Sequence, residues 1–142
     1  MPAEDPFHLD RFLQAQEPVM AAVRRELTEG RKRTHWMWFV FPQLRGLGRS
    51  ATAQFYGIAS LDEARAYLAH PVLGARLREC TGIVNRVEGR SAHEIFGSPD
   101  DMKLHSSVTL FSRVDPGDAV FREALAKYFG GVPDQPTVEL LG

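Results

Sequence analysis

The residues able to do chemistry gather in two stretches. The first is THWMWFVFPQLRGLGRS, residues 34–50. It holds both tryptophans, Trp36 and Trp38, in an apolar row that ends at Phe41, with the basic Arg31, Lys32 and Arg33 just before it. Aromatic rings beside cations suit a planar anion: the ring stacks and the cation neutralises. Arg33 and His35 stand at one end of the row, and Gln43 follows Pro42 at the other, where its amide can hydrogen-bond a ligand. In LRGLGRS two glycines permit close backbone approach, Arg45 and Arg49 bring charge, and Ser50 is placed to cap the helix ATAQFYG. A glycine turn entering a helix N-terminus favours anions. The pattern is neither G-x-x-x-x-G-K-[ST] nor G-x-G-x-x-G. A plainer reading stands beside each. A short helix that is apolar all round is normally core, and basic residues after a helix end are normally solvated complements to its dipole.

The second stretch is SPDDMKLHSSVTLF, residues 98–111. On a helix Asp100, Lys103 and Ser107 share one face, and Asp101 and His105 form an i, i+4 pair on another. A lysine held by an aspartate can bind an anion. An aspartate–histidine pair can orient an imidazole as a general base, so His105 and Asp101, with His35, are the candidates for proton transfer. No nucleophile accompanies them, since Ser106 and Ser107 follow His105 too closely to face it. The plainer reading is a set of surface pairs, each contributing a few tenths of a kcal/mol. The five histidines show no H-x-x-x-H or H-E-x-x-H spacing, so no metal site is expected. The one cysteine, Cys80, excludes an intrachain disulfide and a multi-cysteine metal site, and suits a reducing compartment.

These residues must be positioned by helices. Asp5-Pro6 reads as the start of a first helix with Phe7, Phe12 and Leu13 on its apolar side. Pro18 opens a second, lined by Met20, Val23 and Leu27 and ended by Gly30. Thr34 reads as the cap of the aromatic row. Ser60-Leu61-Asp62-Glu63 and Ser91-Ala92-His93-Glu94 match the capping box, and Ser98-Pro99-Asp100-Asp101 is a further start signal. The clearest stripe is Leu73, Leu77, Cys80, Val84 and Val87, with Gly89 as its stop. Phe121, Leu125 and Tyr128 line a last long helix before Gly130-Gly131. Only Phe39-Val40-Phe41 and Val108-Thr109 suggest extended chain, and each lies among helix signals. The expected fold is mainly α, a single compact domain of several short helices with little or no sheet. It spans residues 1–142, with 1–6 an N-terminal extension and 133–142 a partly irregular tail containing a short turn of helix.

Composition sets outer bounds. With 142 residues, 44% of them hydrophobic and 25% charged, the chain can bury a real core. A net charge of −1 provides no global attraction to nucleic acid or to an acidic membrane. The start MPAEDPFHLDRF has acids where a signal peptide needs basic residues. No apolar run approaches the ~20 residues of a membrane span. The expectation is a soluble, cytoplasmic protein.

Two stretches carry a resemblance. GRKRTHWMWFVFPQLRGLGRSATAQFYGI and SAHEIFGSPDDMKLHSSVTLFSRV, with HPVLGARLRE between them and the ending DQPTVELLG, resemble domain-of-unknown-function family 1810 from Leu9 to Leu141. The resemblance implies a mainly helical single-domain fold, and no activity, cofactor or catalytic residue is carried over with it. Members are sometimes labelled calpastatin. Calpastatin is a calpain inhibitor with disordered inhibitory repeats, whereas this chain is non-repetitive and rich in helix signals.

The functional expectation is a small anionic planar ligand, nucleotide-like or otherwise phosphorylated. It would lie between the Trp36–Phe41 block and the Asp100–Ser107 helix. Its binding set would be Arg33, His35, Trp36, Trp38, Gln43, Arg45, Arg49, Lys103 and Ser107. The alternative is a non-catalytic protein-interaction module with the aromatic block as core. Nucleic-acid binding through Arg31–Arg33 and Arg45/Arg49 is disfavoured by the balanced charge. Whether the protein is an enzyme, its cofactors and its oligomeric state stay open.

Overall fold

Local capping sets most of the element boundaries in the computed structural model, which describes residues 5–142. Residues 1–4 of the expected extension fall outside the described residues. Asp5-Pro6 does not start the first helix; Leu9 is the residue preceding it. The Asp5 carboxylate accepts from Leu9 N at 2.7 Å and Asp10 N at 2.9 Å, and the first helix, α1, is Asp10–Gln16. The second, α2, is Met20–Glu29, ended by Gly30 in the left-handed region at φ 75°. There glycine avoids the Cβ clash that other residues meet. Helix α3, Met37–Val40, is a single turn. Thr34 does not cap it: its hydroxyl donates to Glu26 Oε2 at 2.7 Å, and Trp36 is the residue preceding the turn.

A 3-10 turn over Arg45–Leu47 leads to α4, Ala51–Tyr56, capped by Ser50 accepting from Ala53 N. Then come α5 (Leu61–Ala69), α6 (Leu73–Arg86), α7 (Ala92–Phe96) and α8 (Asp100–Val114). Ser60 caps α5 as expected, but Glu63 reaches Ala59 N rather than Ser60 N. The full reciprocal capping box forms at Ser91 and Glu94. Ser98 makes no cap for α8; Pro99 occupies that position. The stretches read as possibly extended, Phe39-Val40-Phe41 and Val108-Thr109, belong to or abut helices α3 and α8. Helix α9 is Ala119–Phe129. The tail from Pro133 is more regular than expected: Asp134 accepts from Thr137 N and starts α10, Gln135–Leu141. Among the described residues there is no strand. The single pairing is one parallel bridge, Leu44 to Ile58.

Helix α9 packs on α6 and α8, α5 on both of these, α2 on α6, and α7 and α10 on α8. Of the predicted stripe, Leu73, Leu77, Cys80 and Val84 are buried, and Val87, just past the end of α6, is half-buried; Met20, Val23, Leu27 and Phe121 are buried too. Each such large side chain contributes about 1.5–3 kcal/mol by leaving water. One buried ion pair clamps the N-terminal part. Arg11 NH2 meets Glu63 Oε2 at 2.7 Å, with the side chains only 4% and 3% exposed. The other donors of the guanidinium go to the carbonyls of Phe7, His8, Phe55 and Gly57. All five N–H groups are thereby used, which is what makes a buried arginine tolerable. No helix among the described residues is long and apolar enough to cross a membrane.

Candidate functional site

The loop from Gly30 to Trp36 is organised by one buried carboxylate. Glu26, 2% exposed, accepts from Arg33 N (2.7 Å), Thr34 N (3.0 Å), Thr34 Oγ1 (2.7 Å) and Trp36 Nε1 (3.0 Å). Burial pushes its pKa up, but these donors to the charged form prevail and hold it down to about 2. They also fix Trp36. Its indole is fully buried against Phe41 and Phe96, its N–H is satisfied, and no face is open to a ligand. Met37, Val40 and Phe41 are buried with it. This half of the aromatic row is core. The indole N–H that could have sought a ligand is held by Glu26 instead.

Trp38, on the other side of the same turn, is half-buried and looks towards α8. The Lys103 ammonium lies 3.6 Å from its ring centroid. Lys103 also meets Asp100 Oδ1 at 3.1 Å, while Lys32 holds Asp100 Oδ2 at 2.9 Å. Lys32 is only 7% exposed; its Nζ donates to Thr34 O at 2.6 Å and sits 5.0 Å from the Trp36 ring centroid. Burial raises the Asp100 pKa, and the two ammoniums more than reverse that, leaving it below the ordinary value.

Beside this arrangement a half-open cleft of about 270 Å³ is lined by Trp38, Gln43, Leu47, Pro99, Lys103 and Asp134, among others. Its floor is α8, through Met102, Lys103 and Ser106; its walls are the 3-10 turn and the start of α10. The glycines of the turn serve packing. A Cβ at Gly48 would collide with Ala53, and one at Gly46 would come within 3.1 Å of Leu140 in α10. The Gln43 side chain is half-buried and makes no hydrogen bond among the described residues.

The structure brings together Trp38, Gln43 and Lys103 from the predicted set. The others stand apart from the cleft. Arg33 pairs with Glu29 on the surface at 3.2 Å. His35, Arg45 and Arg49 are exposed, and none lines the cleft. Ser107 is fully buried, with its hydroxyl unpartnered among the described residues. The serine of α8 that lines the cleft is its neighbour Ser106, because the side turned to the cleft runs Pro99, Met102, Lys103, Ser106. The proposed Asp101–His105 dyad does not form. Asp101 turns to His93 Nδ1 at 3.4 Å. His105 stacks on Phe129 at 4.1 Å, and its Nε2 donates to Val132 O at 2.7 Å. A carbonyl can only accept, so that nitrogen carries the proton.

Sequence reasoning missed Lys32 as the second partner of Asp100, and missed Asp134 and Met102. The DQPT run does signal a capped helix start, but nothing in it places that cap beside α8. No group of three or more His, Cys, Asp or Glu side chains able to hold a metal occurs among the described residues.

The sequence pattern of the protein-of-unknown-function family DUF1810 matches residues 6–141. The chain belongs to the DUF1810 family. A solved structure of comparable fold is that of the conserved hypothetical protein Rv1873 from Mycobacterium tuberculosis. The two are 62% identical over 96% of this chain and 98% of that one, with a TM-score of 0.95. No curated protein matches the chain. The expected DUF1810 membership and the mainly helical fold both hold.

Proposed function

We propose that the cleft between α3, α8 and α10 binds one small planar ligand that carries an anionic group. The observation that supports this most is the charge count around Trp38. Two ammoniums, Lys32 and Lys103, share the single carboxylate of Asp100, which leaves one surplus positive charge on the Trp38 side of the cleft, with Asp134 in the far wall. Lys32 is sealed by Thr34 O and by burial, so the surplus is available at Lys103, in the wall of the cleft and on the face of Trp38. An incoming anion draws Lys103 towards itself and uncovers the indole for the ring. The cation–π contact given up is worth about 0.5–2 kcal/mol, an amount that an ion pair in a partly desolvated cleft offsets.

The size of the cleft narrows the ligand. About 270 Å³ is at the lower edge of the ~300–1,000 Å³ typical of small-molecule sites. It suits one ring system with a substituent emerging at the mouth, rather than a dinucleotide. Binding is the proposed role; no paired acid and base lines this cleft in a way that assigns a reaction. A reducing compartment is part of the reading, in keeping with the buried free thiol of Cys80.

The test is a thermal-shift and tryptophan-fluorescence screen against planar anions, namely nucleoside monophosphates and aromatic carboxylates. A true ligand at about 100 times its Kd stabilises by about 2.7 kcal/mol. Trp38→Ala and Lys103→Met should each weaken it by tenfold or more, with the fold intact by circular dichroism. Binding that survives both substitutions, or a library with no binder, refutes the reading.

A further inference from the structure

The far wall of the same cleft contains a second charge whose chemistry is opposite to that of Lys103. Asp134 lines the cleft with a side chain 16% exposed. Its two oxygens are in different situations. Oδ2 is committed: it accepts from Thr137 Oγ1 at 2.6 Å and Thr137 N at 3.3 Å, and Ser106 Oγ lies 3.0 Å away. These contacts hold the carboxylate in one orientation. Oδ1 accepts no hydrogen bond among the described residues; His105 Nδ1 lies 3.8 Å from it, beyond hydrogen-bond reach but within ion-pair range when the imidazole is protonated. The Gln43 carboxamide, also in the cleft lining, has no hydrogen-bond partner among the described residues.

A carboxylate oxygen in a cleft wall with no protein donor favours an N–H or O–H of a ligand. A ligand edge made only of acceptors would face it with repulsion, whereas an edge with an amino group, or a ring N–H beside one, would satisfy it. Gln43 can serve the same edge, because its amide both donates and accepts. Pinning of Oδ2 makes this a fixed reader rather than a mobile side chain that could turn away.

We infer that the ligand of this cleft is an amino-substituted nitrogen heterocycle, its N–H edge read by Asp134 and Gln43 and its anionic substituent held at Lys103. The inference rests on the small-ligand reading above and adds to it the class of ring. It separates aminated bases from their oxo or unsubstituted counterparts, a distinction that the Trp38–Lys103 pair alone does not make. Discrimination of this kind is favoured, because the wrong ring turns its own acceptor towards a half-buried carboxylate.

Matched pairs of nucleotides test it: guanosine against inosine monophosphate, adenosine against purine-riboside monophosphate, and cytidine against uridine monophosphate. Each is titrated by isothermal calorimetry into the wild type, Asp134→Asn and Gln43→Leu. Asparagine keeps an oxygen for the α10 cap and places an NH2 donor where Oδ1 was. The expected result is that the amino member of at least one pair binds tenfold or more tightly than its counterpart. Asp134→Asn should erase that preference while changing the affinity of the counterpart less than threefold. Gln43→Leu, which touches no cap, should reduce the same preference, and it decides the matter if Asp134→Asn melts early. Equal affinities within every pair, or an Asp134→Asn loss shared equally by both members, overturn the amino-edge assignment while leaving the cleft as a planar-anion site. Absence of binding by all six nucleotides and by the aromatic carboxylates overturns both readings.

Discussion

Glu26→Gln separates the electrostatic role of Glu26 from its shape. In the wild type four donors converge on this carboxylate: two backbone amides, the Thr34 hydroxyl and the Trp36 indole. They lower its pKa from the ordinary 4.5 to about 2 despite burial. At about 1.4 kcal/mol per pH unit, that drop corresponds to about 3 kcal/mol of folding stability. The folded value lies below the unfolded one. The contribution is therefore complete above pH ~4.5 and declines as pH falls from there towards ~2, with about 2 kcal/mol of it gone by pH 3. Glutamine keeps the side-chain length but replaces one acceptor oxygen by an NH2 that faces donors.

The expected outcome is a variant about 3 kcal/mol less stable at pH 7, or about 10 °C lower in Tm for a chain of this size. The gap should close to about 1 kcal/mol at pH 3. Urea unfolding of both proteins at pH 7, 5, 4 and 3 measures it, with the fluorescence of the buried Trp36 as the signal. A gap that stays constant across this range, or a variant as stable as the wild type at pH 7, refutes the reasoning.

Other outcomes follow from the same geometry. Arg11→Leu leaves Glu63 charged and buried without its partner and should cost about 3–5 kcal/mol, while the double change Arg11→Leu/Glu63→Leu should recover part of it; thermal melts decide. Acrylamide should quench Trp38 and spare the fully buried Trp36, so Trp38→Phe should remove nearly all of the quenchable emission. The thiol of Cys80 is fully buried, and burial pushes its pKa up to about 12; a disulfide reagent should label it only at the rate of unfolding. Gly74→Ala should destabilise by about 1–3 kcal/mol or more in urea titrations, because its Cβ would fall on the Leu68 carbonyl.

Much of the fold was legible because helix boundaries are set locally. Ser50, Ser60, Ser91 and Gly30 act within one turn of themselves, and the Leu73–Val84 stripe follows from 3.6 residues per turn. Exceptions arose where a distant group competed. Thr34 abandoned the aromatic turn for Glu26, and Glu63 left its own cap position to hold Arg11. In both cases a buried charge needing partners outweighed a cap worth about 1 kcal/mol.

The site divides along the same line. Residue types alone marked Trp38, Gln43 and Lys103 as able to hold a planar anion, and an aspartate one turn from Lys103 was visible by spacing. Residue types could not distinguish Trp36 from Trp38. Adjacent even positions on one turn of helix point in nearly opposite directions, and only the packing of α2 and α7 decides which of them faces the core. Nor could they select Ser106 over Ser107, split Asp101 from His105, or bring Lys32 and Asp134 to α8. Those outcomes depend on contacts between segments far apart in the chain, where no periodicity carries information. The sequence by itself determined the helices and the kinds of group available. The tertiary structure decided which of them meet, because a single core can bury only one face of each helix.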